Sequence, residues 1–193
     1  MDTKALLLLR EQTGAPITAC RQALLDTNGN FEAAAVILRK KGLEVVAKKA
    51  GREAGEGLVD SYIHANSKVG ALVQVHCETD FVARTEQFKA FVHDVALHIT
   101  ASAPLYVSLE TIPAEVMNAQ RALWIEEVKV MGKPQAIAET IVKGKLEKWC
   151  QDVCLLAQPF VKNEDITVGD LLKETVAKLG ENIVIKRFVR FSF

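Results

Sequence analysis

Apolar positions along this chain change period several times, and each change marks a change of element. Up to about residue 42 the period is helical. Lys4 to Thr13 predicts a first helix closed by Gly14, and Pro16 stands where a second begins, at a position whose missing N–H costs nothing. Ile17, Cys20 and Leu24 recur at helical spacing. Asn28-Gly29-Asn30 is a turn, with Asn30 an N-cap for a third helix that has Phe31, Ala34, Ala35 and Leu38 on its inward stripe and Gly42 as its stop. From Leu58 the period becomes two. Leu58–His64 and Val69–Cys77 read as hairpin strands around Asn66-Ser67-Lys68, and Val69, Ala71, Val73, Val75 and Cys77 share one face. One reading pairs His64 with His76 across the hairpin; the preferred one makes each a lone surface histidine.

The β run stops at Cys77-Glu78-Thr79-Asp80-Phe81-Val82-Ala83-Arg84-Thr85, and a helix follows. Thr85 is its N-cap; Phe88, Phe91, Val92, Val95, Ala96 and Ile99 form its apolar stripe, and Pro104 marks its end. Leu105-Tyr106-Val107 reads as a short strand. Pro113 opens a helix to about Met131 and Pro134 opens another to the Cys154 region; Gly132-Lys133-Pro134 between them makes an antiparallel helical hairpin, with Gly144 a candidate kink. Asp170 begins or caps a helix through Lys178 closed by Gly180. Ile183–Phe193 reads as a strand pinned into the sheet, with Ile183, Ile185, Val189, Phe191 and Phe193 on one face and Arg187 the exception.

The expected fold class is therefore α+β. A three-helix bundle with a basic linker occupies 1–54, and an α+β core of a small antiparallel sheet covered by helices occupies 55–193. The linker reads as helical and then flexible: it carries Arg39, Lys40, Lys41, Lys48, Lys49 and Arg52 against Glu44, then loosens at Gly51, Gly55 and Gly57. Aromatic residues that would stack bases are not interleaved with these charges, so they read as a solvated linker.

Composition narrows the function classes. Of 193 residues, 49% are apolar and 25% charged, the usage of a folded chain that needs no disulfide or metal to build a core. The 24 basic and 24 acidic residues cancel, which leaves no global field for nucleic acid or an anionic membrane. Leu6–Leu9 is too short for a signal core or a membrane span, and the four cysteines lie in apolar patterns, which points to a reduced, cytosolic setting. Chemistry is sparse. His76 and Cys77 are strand neighbours and point to opposite faces, so they cannot act as base and nucleophile. Cys150 and Cys154 sit at helical spacing beside Trp149 and Val153 and read as core, not as zinc ligands. Gly51-x-x-x-Gly55-x-Gly57 lacks the lysine and hydroxyl of a phosphate loop. No cofactor and no covalent chemistry are expected. What remains is an aromatic and a carboxylate, Asp80-Phe81, on a chain reversal. The ring is either a wedge for a partner's pocket or the first core residue of the following helix.

The first forty residues resemble a ubiquitin-associated domain. Leu9-Arg10-Glu11-Gln12-Thr13-Gly14-Ala15-Pro16 and Cys20-Arg21-Gln22-Ala23-Leu24 resemble the N-terminal domain of the bacterial elongation factor Ts family. Cys77–Ala83 resembles that family's Thr-Asp-Phe-Val signature, and Gln158–Val161, Thr167–Glu174 and Arg187–Phe191 match further pieces in order. The resemblance covers the whole chain in its short form, without a second core repeat, protruding coiled coil or C-terminal module.

The resemblance implies an exchange factor that binds the GDP-bound GTPase elongation factor Tu. Phe81 enters a pocket of its nucleotide domain, and Asp80, Phe81, Val82 and Ala83 disturb its magnesium and diphosphate site, so that GDP leaves and GTP rebinds. It further implies docking through Arg10, Pro16, Ile17 and Thr18, of which Ile17 and Thr18 replace methionines seen in some relatives. A short core with one compact sheet also leaves room for a homodimer. Two other classes stand against this reading: a ubiquitin-type binding module, which leaves the Asp80-Phe81 corner unused, and a metal or thiol enzyme.

Overall fold

The computed structural model describes residues 3–130 and 135–193. Helices α1 (Thr3–Thr13), α2 (Ile17–Asp26) and α3 (Phe31–Lys49) come first, followed by strands β1 (Glu56–Ile63) and β2 (Val69–Cys77). Next are the one-turn helix α4 (Asp80–Ala83), the long helix α5 (Glu86–Ser102), and the pair α6 (Ala114–Val130) and α7 (Gln135–Val153). A short ribbon, β3 (Pro159–Phe160) and β4 (Asn163–Thr167), leads into α8 (Val168–Leu179) and β5 (Val184–Ser192). The class is α+β, as the patterning predicts.

The bundle closes on Leu9, Cys20, Ala23, Leu24, Ala34, Ala35 and Leu38. Asn30 caps α3 by accepting the Ala33 N–H at 3.0 Å. Gly42 does not end this helix, contrary to the sequence expectation; α3 continues to Lys49. Glycine inside a helix costs about 1 kcal/mol relative to alanine. Gly42 lies where α3 crosses α8: a Cβ there would stand 3.4 Å from Ala177 Cβ, in ordinary contact, and Val46 one turn further on packs against the main core. Tertiary packing outweighs the local stop signal. Ile17, expected on the helical stripe, is exposed.

The main sheet has the order β1-β2-β5, with both pairings antiparallel. Ala71, Val73, Val75 and Cys77 are buried on one face of β2, and α5 lays Phe88, Phe91, Val92, Val95, Ala96 and Ile99 against them. Thr85 caps α5 through the Phe88 N–H at 3.2 Å, as its position predicts. Glu56 begins β1, two residues earlier than the pattern implies. The hairpin register sets His76 opposite Gly57, so the two strand histidines do not pair; His76 instead bonds the Ala54 carbonyl and Gln74.

The predicted face of β5 needs correction. Gln74 pairs with Arg187 but Val75 with Ile185, so Lys186 is an extra residue, a bulge. Ile185 lies on the core side before the bulge. Beyond it the alternation inverts: Phe188 stands opposite Val73 and packs on the core, while Val189 and Phe191 stand opposite Leu72 and Gly70 on the outer face. A slip of one residue exchanges the two faces of a strand. With Val59, Ile63 and Leu72, the outward Val189 and Phe191 form an exposed apolar surface on the side of the sheet opposite α5.

The expected strand at 105–107 reduces to one parallel bridge between Tyr106 and Cys154. This extended segment still ties down the end of α7, since Leu105 and Tyr106 N–H both donate to the Val153 carbonyl. The α6–α7 hairpin forms. Trp124, Val128 and Val142 are its core, the rings of Trp124 and Trp149 meet edge-on at 6.0 Å, and Lys145 reaches Glu127 at 2.6 Å. Met131 and the Gly132-Lys133-Pro134 turn lie outside the described residues. Gly144 produces no break in α7. The β3–β4 ribbon escapes sequence patterning because two residues of β3 show no period. Thr167, not Asp170, caps α8; Asp170 is the reciprocal acid three residues on, and Gly180 closes the helix at φ 72°.

One buried polar network joins α5 to the ribbon. His98 is fully buried and meets Gln158 Oε1 through Nε2 at 2.9 Å, while Val161 N–H donates to Nδ1 at 3.2 Å. Those partners require a neutral imidazole with its proton on Nε2. Burial holds its pKa below the ordinary histidine value.

Candidate functional site

The β2–α5 corner is built by capping. After β2, Thr79 takes an extended conformation and its hydroxyl oxygen accepts the Val82 N–H at 3.4 Å. One turn of helix follows, with Ala83 N–H donating to Thr79 O and Arg84 N–H to Asp80 O, each at 3.2 Å. Thr85 then closes the turn onto the Val82 carbonyl at 2.8 Å while capping α5.

The four predicted residues divide by direction. Ala83 is buried and Val82 packs on the main core, so this pair anchors the turn. Phe81 points out and is 79% exposed. The ring is not the first core residue of α5; that place belongs to Phe88. Asp80 meets the exposed Arg84 guanidinium at 2.9 Å. An exposed pair of this kind contributes about 0–1 kcal/mol, so the carboxylate remains available to another partner.

Two acids hold the corner from behind, and local patterning identifies neither. Glu181, on the turn after α8, accepts both the Thr79 N–H at 3.0 Å and the Thr79 hydroxyl at 2.7 Å. Glu78 accepts the Asn182 N–H at 2.7 Å and faces Arg52 at 3.3 Å and Lys49 at 3.9 Å. The Asn182 amide donates to the Arg52 carbonyl at 2.7 Å, so the linker is tied to the same place. Glu78 stays below the usual carboxylate range, chiefly through the Asn182 N–H and then through Arg52 and Lys49. The Cys77 thiol is pushed up to about 11 by burial and by the Glu181 charge. A thiol so placed is inert at neutral pH, and it serves as a donor to the Thr79 carbonyl at 3.2 Å. These contacts span more than a hundred residues of sequence. The one cue in the sequence is a polar Glu181-Asn182 pair directly after the Gly180 stop.

Arg10, Pro16, Ile17 and Thr18 lie on either side of the α1–α2 turn and are exposed. The turn is closed by Gly14 at φ 64°, whose N–H donates to the Arg10 carbonyl at 2.8 Å. A side chain at Gly14 would collide with Lys178 near the end of α8. The last turn of α8 and the residues just after it therefore abut both corners, the first through Lys178 and the second through Glu181. Between the bundle and α8 lies a cleft of about 330 Å³, lined in part by Thr13, Leu38, Ile166 and Lys173. Among the described residues no group of histidine, cysteine and acid side chains is arranged to hold a metal, and no helix is long and apolar enough to cross a membrane.

Fold and corner together define a class: an α+β protein that holds one apolar ring outward on a capped turn between sheet and helix. Comparison with known proteins makes it specific. A family model described as Elongation factor TS matches residues 31–193. The chain is 52% identical over 183 residues to Elongation factor Ts of Carboxydothermus hydrogenoformans, covering 95% of this chain and 84% of the relative. It is 49% identical over 191 residues to Elongation factor Ts of a Thermoanaerobacter species, covering 99% and 94%. The match to Elongation factor Ts of Geotalea uraniireducens is 51% over 184 residues, covering 95% and 85%. The chain belongs to the elongation factor Ts family.

Proposed function

We propose that this protein is the nucleotide exchange factor for elongation factor Tu in translation. It binds the GDP-bound GTPase, and Phe81 enters a pocket of the nucleotide domain. The Asp80–Ala83 turn then disturbs the site that holds magnesium and the diphosphate. Magnesium bridges phosphate oxygens to a GTPase, so loosening it removes a large part of the nucleotide's binding energy. No bond is made or broken. The coupling is reciprocal: if this chain weakens GDP, GDP weakens this chain by the same factor, about 1.4 kcal/mol for each tenfold.

The observation that carries this reading is the exposed Phe81 ring on a turn whose neighbours Val82 and Ala83 are anchored in the core. An exposed phenylalanine contributes little to folding, whereas one presented rigidly binds without a large ordering cost. The bundle, residues 1–54, acts as the docking unit through Arg10, Pro16, Ile17 and Thr18, and the 55–193 core carries the wedge. Release of a fluorescent GDP from elongation factor Tu tests the reading. The unaltered chain accelerates release and Phe81→Ala loses most of the acceleration; equal rates with and without the unaltered chain would dismiss the function.

The outer face of the sheet supports a second partner, another copy of this chain. Val59, Ile63, Leu72, Val189 and Phe191 make an exposed apolar surface that a twofold pairing would bury against itself. Sedimentation of the unaltered chain and of Phe191→Asp separates the outcomes: a dimer converted to monomer supports the pairing, and a monomer in both cases excludes it.

A further inference from the structure

We propose that Glu181 is a positioning residue for nucleotide release: by gripping Thr79 it sets the direction in which Phe81 leaves the surface. This rests on the exchange reading above and adds to it the residue on which the wedge depends.

A helix of four residues is far below the length that sustains itself, so α4 takes its position from the core packing of Val82 and Ala83 and from what holds its ends. Its C-terminal end runs directly into the Thr85 cap and α5. Its N-terminal end depends on Thr79, and Thr79 is held by Glu181. The carboxylate takes both donors of that residue, the backbone N–H and the hydroxyl hydrogen. With its hydrogen committed to Glu181, the hydroxyl presents only lone pairs to α4, and one of them accepts the Val82 N–H. The single carboxylate thus fixes Thr79 in place and fixes the polarity of its cap. Charge-assisted bonds of this kind are shorter and stronger than neutral ones. Glu78 makes the converse bond to Asn182, so the two loops hold each other crosswise.

The consequence is specific. Without Glu181 the ring is still present, the docking residues are untouched and Val82 and Ala83 stay in the core. The Thr79 end of the turn, however, loses the carboxylate that fixes its side chain and its N–H, and the direction of the ring shifts. A displacement of about 1 Å at a catalytic contact lowers a rate up to a hundredfold. Glu181→Ala is expected to lower the GDP release rate at saturating exchange factor by roughly tenfold or more, while the half-saturating concentration stays close to that of the unaltered chain. Glu181→Gln keeps the shape and one acceptor but turns an amide donor toward the Thr79 hydroxyl, and gives an intermediate rate.

A residue acting through the wedge has no effect once the wedge is gone. The decisive measurement is therefore the cycle with Phe81→Ala, in which adding Glu181→Ala changes release no further. Equal saturating rates for Glu181→Ala and the unaltered chain would overturn the inference, as would a loss that adds in full to that of Phe81→Ala. If Glu181→Ala does not fold, Glu181→Gln is carried through the same cycle with the same two outcomes. The unaltered chain measured alongside separates the two levels. Acceleration by it with no effect of Glu181 leaves the exchange reading standing and removes this one, and no acceleration by it removes both.

Discussion

Two exposed phenylalanines, Phe81 and Phe191, differ in everything except exposure. Phe81 is 79% exposed and stands alone on a one-turn helix beside a carboxylate and a guanidinium. Phe191 is 66% exposed and lies among Val59, Ile63, Leu72 and Val189 on the open side of the sheet. The first stands on a turn anchored by Val82 and Ala83, and the second belongs to an apolar surface that also lines a cleft of about 340 Å³ with Ile63 and Leu72. A pocket selects the first kind and a partner with an extended apolar face the second. An exposed aromatic residue identifies a function only through the framework that holds it.

The largest effect expected from this contrast is at Phe81. Phe81→Ala is predicted to reduce nucleotide release by roughly a hundredfold, the scale of a central aromatic anchor in an interface, while its melting temperature stays near that of the unaltered chain. Release kinetics and thermal denaturation on the same samples check both halves. A large fall in melting temperature would mean that the ring contributes to the fold and is not reserved for a partner.

The second effect contrasts the two sides of β5. The bulge at Lys186 puts Phe188 against the core and Phe191 outside it. Phe188→Ala is predicted to cost about 2 kcal/mol, less than the full value for a completely buried ring. Phe191→Ala should change stability by less than about 0.5 kcal/mol in the monomer. Urea denaturation of each variant is the measurement, and the reverse order would mean that the strand keeps the strict alternation its sequence suggests.

That strand shows where local patterning succeeds and where it fails. The run Val69–Cys77 is legible because β2 is central, so one period governs its whole length. The stripe from Phe88 to Ile99 is legible for the same reason: a single surface, the sheet, lies under it. The alternation in β5 is visible in the sequence, but the extra residue that inverts it is a property of pairing with β2. Gly42 is misleading as a helix stop because its local signal is overruled by a helix, α8, that comes more than a hundred residues later. The candidate site divides likewise. Asp80 and Phe81 stand out at the end of a β run, and Thr85 is recognisable as a cap. Glu181, Glu78 and Asn182 act on partners about a hundred residues away, and nothing in a local window connects them.

The smallest effect is a pH dependence that separates stability from the corner. His98 is neutral in the fold because burial lowers its pKa, so the unfolded chain binds the additional proton. Stability supplied by this group is complete above about pH 6.5, the ordinary histidine value, and falls as pH drops below it. Protonation would place a second ring N–H against the Val161 N–H, which now donates to that nitrogen. Glu78, by contrast, is held below the ordinary carboxylate range by the Asn182 N–H, and its contribution is lost only as pH falls beneath that range. Between about pH 6.5 and pH 5, therefore, the melting temperature should decline modestly while the Glu78 contacts to Asn182 and Arg52 persist. His98→Gln should flatten that decline, whatever it does to stability at neutral pH. Thermal denaturation of both proteins across this interval, with hydrogen exchange at the Asn182 amide as the local probe, tests the separation. Loss of protection at Asn182 in step with the melting temperature would show that corner and core respond to acid as one unit.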